Sequence, residues 1–134
     1  VVKVDQEMLG LPWLQPLYDE PEFVVRNIWR MYGGWWDADP ASLKPSPRVD
    51  LAKELSVLAG GAKQLADRAK FLAEEGDLRL SCHLIEFAAL AEPDNKEIHG
   101  IRAGIYRIRR SQESSLMSKG IFAAAMRESE NITD

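Results

Sequence analysis

One cysteine, Cys82, and two histidines, His83 and His99, are all that this 134-residue chain offers toward thiol or soft-metal chemistry. A single cysteine excludes a disulfide framework and a thiolate zinc cluster, and it fits a reducing compartment. Hydrolytic metal sites need several histidine and carboxylate ligands at set spacings, and two histidines cannot supply them. His83 and Glu86 lie one helical turn apart, but a pair without further ligands reads as a surface or interface hydrogen bond. Cys82 adjoins His83 in sequence, yet neighbours on a helix point about 100° apart, so no nucleophile–base dyad follows and a buried structural thiol is the preferred reading. Excess positive charge is missing as well. Seventeen Lys and Arg against twenty-one Asp and Glu leave a formal charge of −4, which argues against nucleic acid as a partner. The cluster Arg102, Arg107, Arg109 and Arg110 reads as a solvated helix face. No apolar run approaches the ~18 residues of a membrane span, and the amino end shows neither an initiator methionine nor a signal-peptide pattern, so the expectation is a piece of a longer protein.

What is present is helical periodicity. Residues 1–19, with prolines and a glycine and no sustained period, read as an ordered linker arm whose Trp13, Leu14, Leu17 and Tyr18 need cover. At "DEPEF" Asp19 or Glu20 can cap a helix with Pro21 in its first turn. Val24, Ile28, Met31, Tyr32 and Trp35 then form one apolar stripe, and Gly33–Gly34 end it. Asp39–Pro40 start a single turn. Ser46–Pro47 start the next helix, with Leu51, Leu55 and Leu58 predicted as its buried row and Gly60–Gly61 as its stop. A further helix carries Leu65, Ala69 and Leu72 and ends at Gly76. Asp77 caps one with Leu84, Phe87, Ala88 and Ala91, and Asp94 is expected to cap one with Ile98, Ile101, Ile105 and Ile108 at alternating steps of three and four. Met117, Ile121 and Ala124 continue at helical steps, with either a break near Ser114 or a bend at Gly120 in one long helix. Nothing reads as a strand. The fold class is therefore all-α, an antiparallel array of about five to six helices.

Residues 62–95 invite comparison with the 34-residue tetratricopeptide unit. Leu65 and Leu72 take large positions, Ala69, Ser81 and Ala88 small ones, Gly76–Asp77 the turn and Pro93 the terminus, with Ala103 and Tyr106 continuing into the next unit. One and a half repeats are too few for a solenoid, which points to a helical array closed by another chain. The run "MYGGWWDADPASLKP" adds Trp29, Tyr32, Trp35 and Trp36 as anchors for packing, or less favoured as a cage for a cation or an alkyl chain. Arg26 and Arg30, one turn apart, could hold an anionic group such as sulfate, although pairing with Glu20, Glu22 or Asp37 is the plainer reading.

"PLYDEPEFVVRNIWRMYGGWWDADPASLKP", "LAGGAKQLADRAKFLAEEGDLRLSCHLIEFAALAEPDN" and "IYRIRRSQESSLMSKGIF" together resemble the dimerisation domain of bacterial alkyl sulfatases, enzymes of the metallo-β-lactamase superfamily. The resemblance implies that residues 1–19 arrive from a missing catalytic domain, which would hold two zinc ions and hydrolyse sulfate esters. It implies that residues 20–134 form a helical homodimerisation domain in contact with that catalytic domain, often followed by a sterol-carrier-like domain. Two departures stand out: Phe23, where some members carry histidine, and Asp37–Ala38, where they carry Asp-Gly. The expected interface uses Trp29, Tyr32, Trp35 and Trp36 with Ile98, Ile101, Ile105 and Ile108, and buries more than about 2,000 Å². The competing readings are an active-site wall using Arg26, Arg30 and the tryptophans, and a tetratricopeptide-like peptide scaffold with an open groove.

Overall fold

A computed structural model describes residues 3–134. Among the described residues there are eight helices and no strand: α1 (Gln6–Leu9), α2 (Pro21–Gly33), α3 (Pro40–Leu43), α4 (Arg48–Ala59), α5 (Ala62–Glu74), α6 (Leu78–Ala91), α7 (Lys96–Ser111) and α8 (Leu116–Thr133). The count exceeds the expected five to six because α1 and α3 are single turns, and α1 lies in the arm where no helical period is visible.

Local chemistry sets the helix ends. Pro21 opens α2 behind Glu20, and Gly34, at φ 82°, closes it. Asp39 accepts from the Ala41 amide with Pro40 in the first turn of α3. Gly60 takes the left-handed conformation, φ 87°, that ends α4 and that a side chain would strain. Asp77 accepts from the Leu80 amide to cap α6. The cap of α7 is Asn95 rather than Asp94: its side chain accepts from the amides of Glu97 and Ile98, the reach an N-cap oxygen has toward the second and third helical residues. Ser115 caps α8, and Gly120 lies inside a continuous helix.

The core lies among α5, α6 and α7, with α8 laid along α7 and α4 against α5 and α6. Alanines carry much of it. Ala62, Ala66, Ala69 and Ala88 are fully buried and let α5 and α6 approach closely around Leu65 and Ile85. Ser81, also fully buried, donates to the Ala69 carbonyl at 2.7 Å and ties the two helices. Tyr106 stacks on Phe122 with centroids 5.7 Å apart, joining α7 to α8.

Two sequence expectations need correction. The α4 row is not buried: Leu55 packs on the core, but Leu51 and Leu58 are exposed. Ala52 is the buried residue, because α4 turns Ala52 and Leu55 toward α5 and α6 and leaves Leu51 and Leu58 outward. The arginine cluster is not all solvated either. Arg102 is buried, with Nε donating to Glu86 at 2.7 Å and Nη1 to the Ala125 carbonyl and Ser129 Oγ.

Candidate functional site

The sequence puts its most amphipathic helix outside the core. None of α1, α2 and α3 packs against another helix, and α2 has no buried residue. Its amino end is nevertheless firmly held. Arg79 on α6 donates from Nη1 and Nη2 to the two carboxylate oxygens of Glu22 at 3.0 and 2.6 Å, a bidentate pair that fixes orientation as well as distance. The Arg79 bond is the main reason the Glu22 carboxyl lies below its usual pKa. Ser118 Oγ donates to Glu20 Oε1 at 3.0 Å. The amides of Leu116 and Met117 and the hydroxyl of Ser115 donate to the carbonyls of Leu17 and Tyr18. The arm and the start of α2 are thus bolted to the start of α8 by polar contacts.

Beyond this clamp the helix is bare. Val24, Val25, Ile28, Trp29, Met31 and Tyr32 are all exposed, Trp29 at 68% and Tyr32 at 83%. Trp35 is 72% exposed, and Trp36 donates its indole N–H to the Asp39 carbonyl at 3.1 Å, which links the end of α2 to α3. Asp37 accepts from the Asp39 amide, and Ala38 is held at φ 69°, a left-handed conformation uncommon for alanine. The aromatic run is therefore a locally organised joint whose rings are left largely uncovered by the described residues. That is an apolar patch of the kind soluble proteins hide in an interface.

The isoleucine seam divides. Ile98 and Ile105 are buried in the chain's own core by α5, α6 and α8, so they are not free to pack on another subunit. Ile101 is partly buried against that core and Ile108 is exposed. Both line an apolar groove of about 380 Å³ between α5 and α7, together with Gly100 and Gly104. Arg26 pairs with Glu22 at 2.8 Å, whereas Arg30 makes no ion pair among the described residues. The two arginines line a cleft of about 640 Å³ between α2 and α8 with Phe23, Trp29, Met117 and Ile121.

Reactive groups are absent from these surfaces. Among the described residues no three His, Cys, Asp or Glu are placed to hold a metal ion. Burial raises the Cys82 thiol above its usual pKa, which disfavours the thiolate. Burial and then the Glu86 charge push the Tyr106 phenol up as well, and its hydroxyl donates to Glu86 at 2.8 Å. His99 bridges the Pro93 carbonyl and Ser129 Oγ, a structural role.

Comparison with known protein families matches residues 1–131 to the family described as alkyl sulfatase dimerisation. The chain belongs to that family. A linear primary-alkylsulfatase from Pseudomonas sp. is 30% identical to this dimerisation domain over 107 residues, 79% of this chain and 20% of that enzyme. An (R)-specific secondary-alkylsulfatase from Pseudomonas sp. is 28% identical over 103 residues, 77% of this chain and 16% of that enzyme. The solved structure of the stereoselective inverting sec-alkylsulfatase Pisa1 from Pseudomonas sp. superposes with a TM-score of 0.85 at 24% identity, covering 96% of this chain and 20% of that one. That likeness establishes the fold. The chain spans about one-fifth of the length of these relatives, so the dimerisation domain corresponds to a minor part of each.

Residues that the sequence alone does not reveal sit in this domain's polar joints. Arg102, Ser129 and His99, buried, and Glu86, half-buried, form one connected network binding α6, α7 and α8. Burial opposes the Arg102 charge, but the bond to Glu86 outweighs it and holds the guanidinium above its ordinary pKa. Arg79 lies 57 residues from Glu22, and no local spacing announces that pair.

Proposed function

We propose that this domain joins two copies of an alkyl sulfatase-like hydrolase into a homodimer, with α2 and the aromatic joint as its principal buried surface. One observation carries the reading: a wide apolar helix face, polar-clamped at its base, has no buried residue and no packed partner helix among the described residues. Covering Trp29 alone would remove roughly 150 Å² from water, worth about 4 kcal/mol before ordering costs. Several such residues bring the interface into the obligate range above about 2,000 Å². The α5–α6 hairpin, with small residues at its crossing and Gly76–Asp77 at its turn, supplies a tetratricopeptide-like unit within the domain. The names of the relatives support sulfate ester hydrolysis by the whole protein. Under this reading the two zinc ions expected for that chemistry would be held by a catalytic domain that the 1–19 arm joins to this one. Sedimentation of the domain at micromolar protomer concentration should show a dimer, and a Trp29→Asp/Tyr32→Asp variant a folded monomer. A wild-type chain that sediments only as monomer refutes the reading.

A second reading rests on the α2–α8 cleft, where Arg30 has no ion pair and stands beside Trp29, Met117 and Ile121. Two guanidinium groups over an apolar floor suit a sulfate head and an alkyl tail. Under this reading the cleft forms one wall of the active site of the whole enzyme. Arg30→Ala in the full-length enzyme would then raise KM or lower kcat with the dimer intact. Unchanged kinetics dismiss it.

A further inference from the structure

We infer that the groove between α5 and α7 binds an uncharged linear alkyl chain, of the class of a medium-chain primary alcohol. The site goes beyond the self-association reading and stands apart from it, because none of its lining residues belongs to α1, α2 or α3. Along α7 the groove runs from Glu97 to Ile108, about 16 Å at the helical rise per residue. Its floor follows from the sequence. Gly100 and Gly104, one turn apart, leave the surface of α7 without a side chain, and a Cβ added at either meets nothing within 4 Å. Ala73 of α5 and Ile101, Ile105 and Ile108 of α7 supply apolar walls. A volume of about 380 Å³ spread over about 16 Å leaves a cross-section of roughly 24 Å². That section decides between occupants. A helix, about 10 Å across with its side chains, is too wide to enter. An extended peptide would set its N–H and C=O groups against walls that carry no donor or acceptor, and unpaired polar groups are costly to bury. A single methylene chain fills the section and has no such group along its length. The lips of the groove select against charge. Lys70 and Glu74 lie one turn apart on α5 with opposite sign, and Glu97 is held by Lys63 Nζ at 3.1 Å. An anionic or a cationic head therefore meets no net charge of the opposite sign, whereas a hydroxyl both donates and accepts.

The test titrates the full 134-residue chain, labelled with nitrogen-15, with 1-hexanol, 1-octanol and 1-decanol, each below its solubility limit. The amide resonances of Gly100, Gly104 and Ile108 should shift and saturate, and the Kd should fall by about two- to fourfold for each added methylene. Gly104→Leu places a side chain in the groove and should weaken decanol binding about tenfold or more. Gly104→Ala, which favours the helix over glycine, should weaken it about threefold and keeps the test decisive if the leucine variant does not fold. Ile121→Ala, in the cleft between α2 and α8, should leave the Kd unchanged. Decanoate and decyltrimethylammonium should each bind about fivefold or more weakly than decanol. Shifts confined to α2 and α8, shifts that never saturate, or a decanol affinity indifferent to both Gly104 variants overturn the site, and none of these outcomes touches the self-association reading. Equal or tighter binding of either charged chain overturns the assignment to an uncharged ligand.

Discussion

Replacing Arg102 by alanine tests whether the buried network of α6, α7 and α8 is a fastening or an incidental contact. The Arg102 side chain is 8% exposed and its partner Glu86 28%, so the pair is buried on the arginine side and partly wet on the carboxylate side. Breaking a buried pair by removing one partner costs about 3–5 kcal/mol, because the remaining charge loses its compensation. Water reaching Glu86 moves the cost toward the lower end of that range, which already includes the donors lost to the Ala125 carbonyl and Ser129 Oγ. A loss of roughly 3 kcal/mol follows. With an unfolding entropy near 2.1 cal/mol/K per residue, the chain has about 0.28 kcal/mol per kelvin, so the Tm should fall by about 10 °C. The exposed pair Arg107–Glu130, 62% and 37% accessible, is the matched control. Arg107→Ala should cost under about 1 kcal/mol. Urea unfolding and thermal melts at one fixed protomer concentration measure both, since self-association would otherwise shift the midpoint. If Arg102→Ala and Arg107→Ala lose the same small amount, burial has not made the pair matter and the reasoning fails. The pair Arg102→Met with Glu86→Leu refines the point: it should recover much of the loss seen in Arg102→Ala, because it leaves no uncompensated charge.

Three further outcomes follow from other joints. Ser81→Leu forces bulk into the fully buried α5–α6 crossing, so a loss of about 2–3 kcal/mol is expected in urea unfolding, and a neutral result would mean that the hairpin is loosely packed. Gly60→Ala strains the left-handed end of α4 and should destabilise by about 1 kcal/mol, whereas Gly100→Ala inside α7, where an added Cβ meets nothing within 4 Å, should stabilise by a similar amount. Equal signs in the two melts would contradict this. The Glu22 carboxyl, lowered chiefly by its bond to Arg79, is the pH-sensitive element of the clamp. A depressed folded-state pKa gives stability that is complete above the unfolded value near 4.5 and is lost as pH falls through the lower folded value. Wild type should therefore lose more stability than Glu22→Gln on acidification below about 4.5. Parallel acid-unfolding curves for the two would refute the clamp's contribution.

The sequence resolves the ends of these helices far better than their partners. Asp39, Asp77, Gly34 and Gly60 act on amides and carbonyls a few residues away, so their chemistry can be read from spacing alone. The shift of the α7 cap from Asp94 to Asn95 shows the one-residue tolerance of such readings, since both side chains carry a suitable oxygen. Arg102 was hidden for the opposite reason. Its partners come from α6 and α8, 16 to 27 residues away, and in sequence it is one of four arginines on a polar-looking stretch.

Periodicity states that a face will be covered and is silent on what covers it. Ile98 and Leu58 illustrate this: both lie on apolar helical rows, yet Ile98 is sealed by its own chain and Leu58 is 82% exposed. The difference is topological. α7 lies between α8 and the α5–α6 hairpin, while α4 ends the array with one side free. The same reasoning applies to α2, whose stripe is as regular as any in the chain but which is fastened only at its start, through Glu20 and Glu22, to α8 and α6. A chain that fastens an apolar helix by its polar end alone leaves the hydrophobic free energy of that helix to be gained on association. It also makes the two events separable: acid weakens the fastening through Glu22, whereas Trp29→Asp/Tyr32→Asp removes the association and leaves the fastening in place.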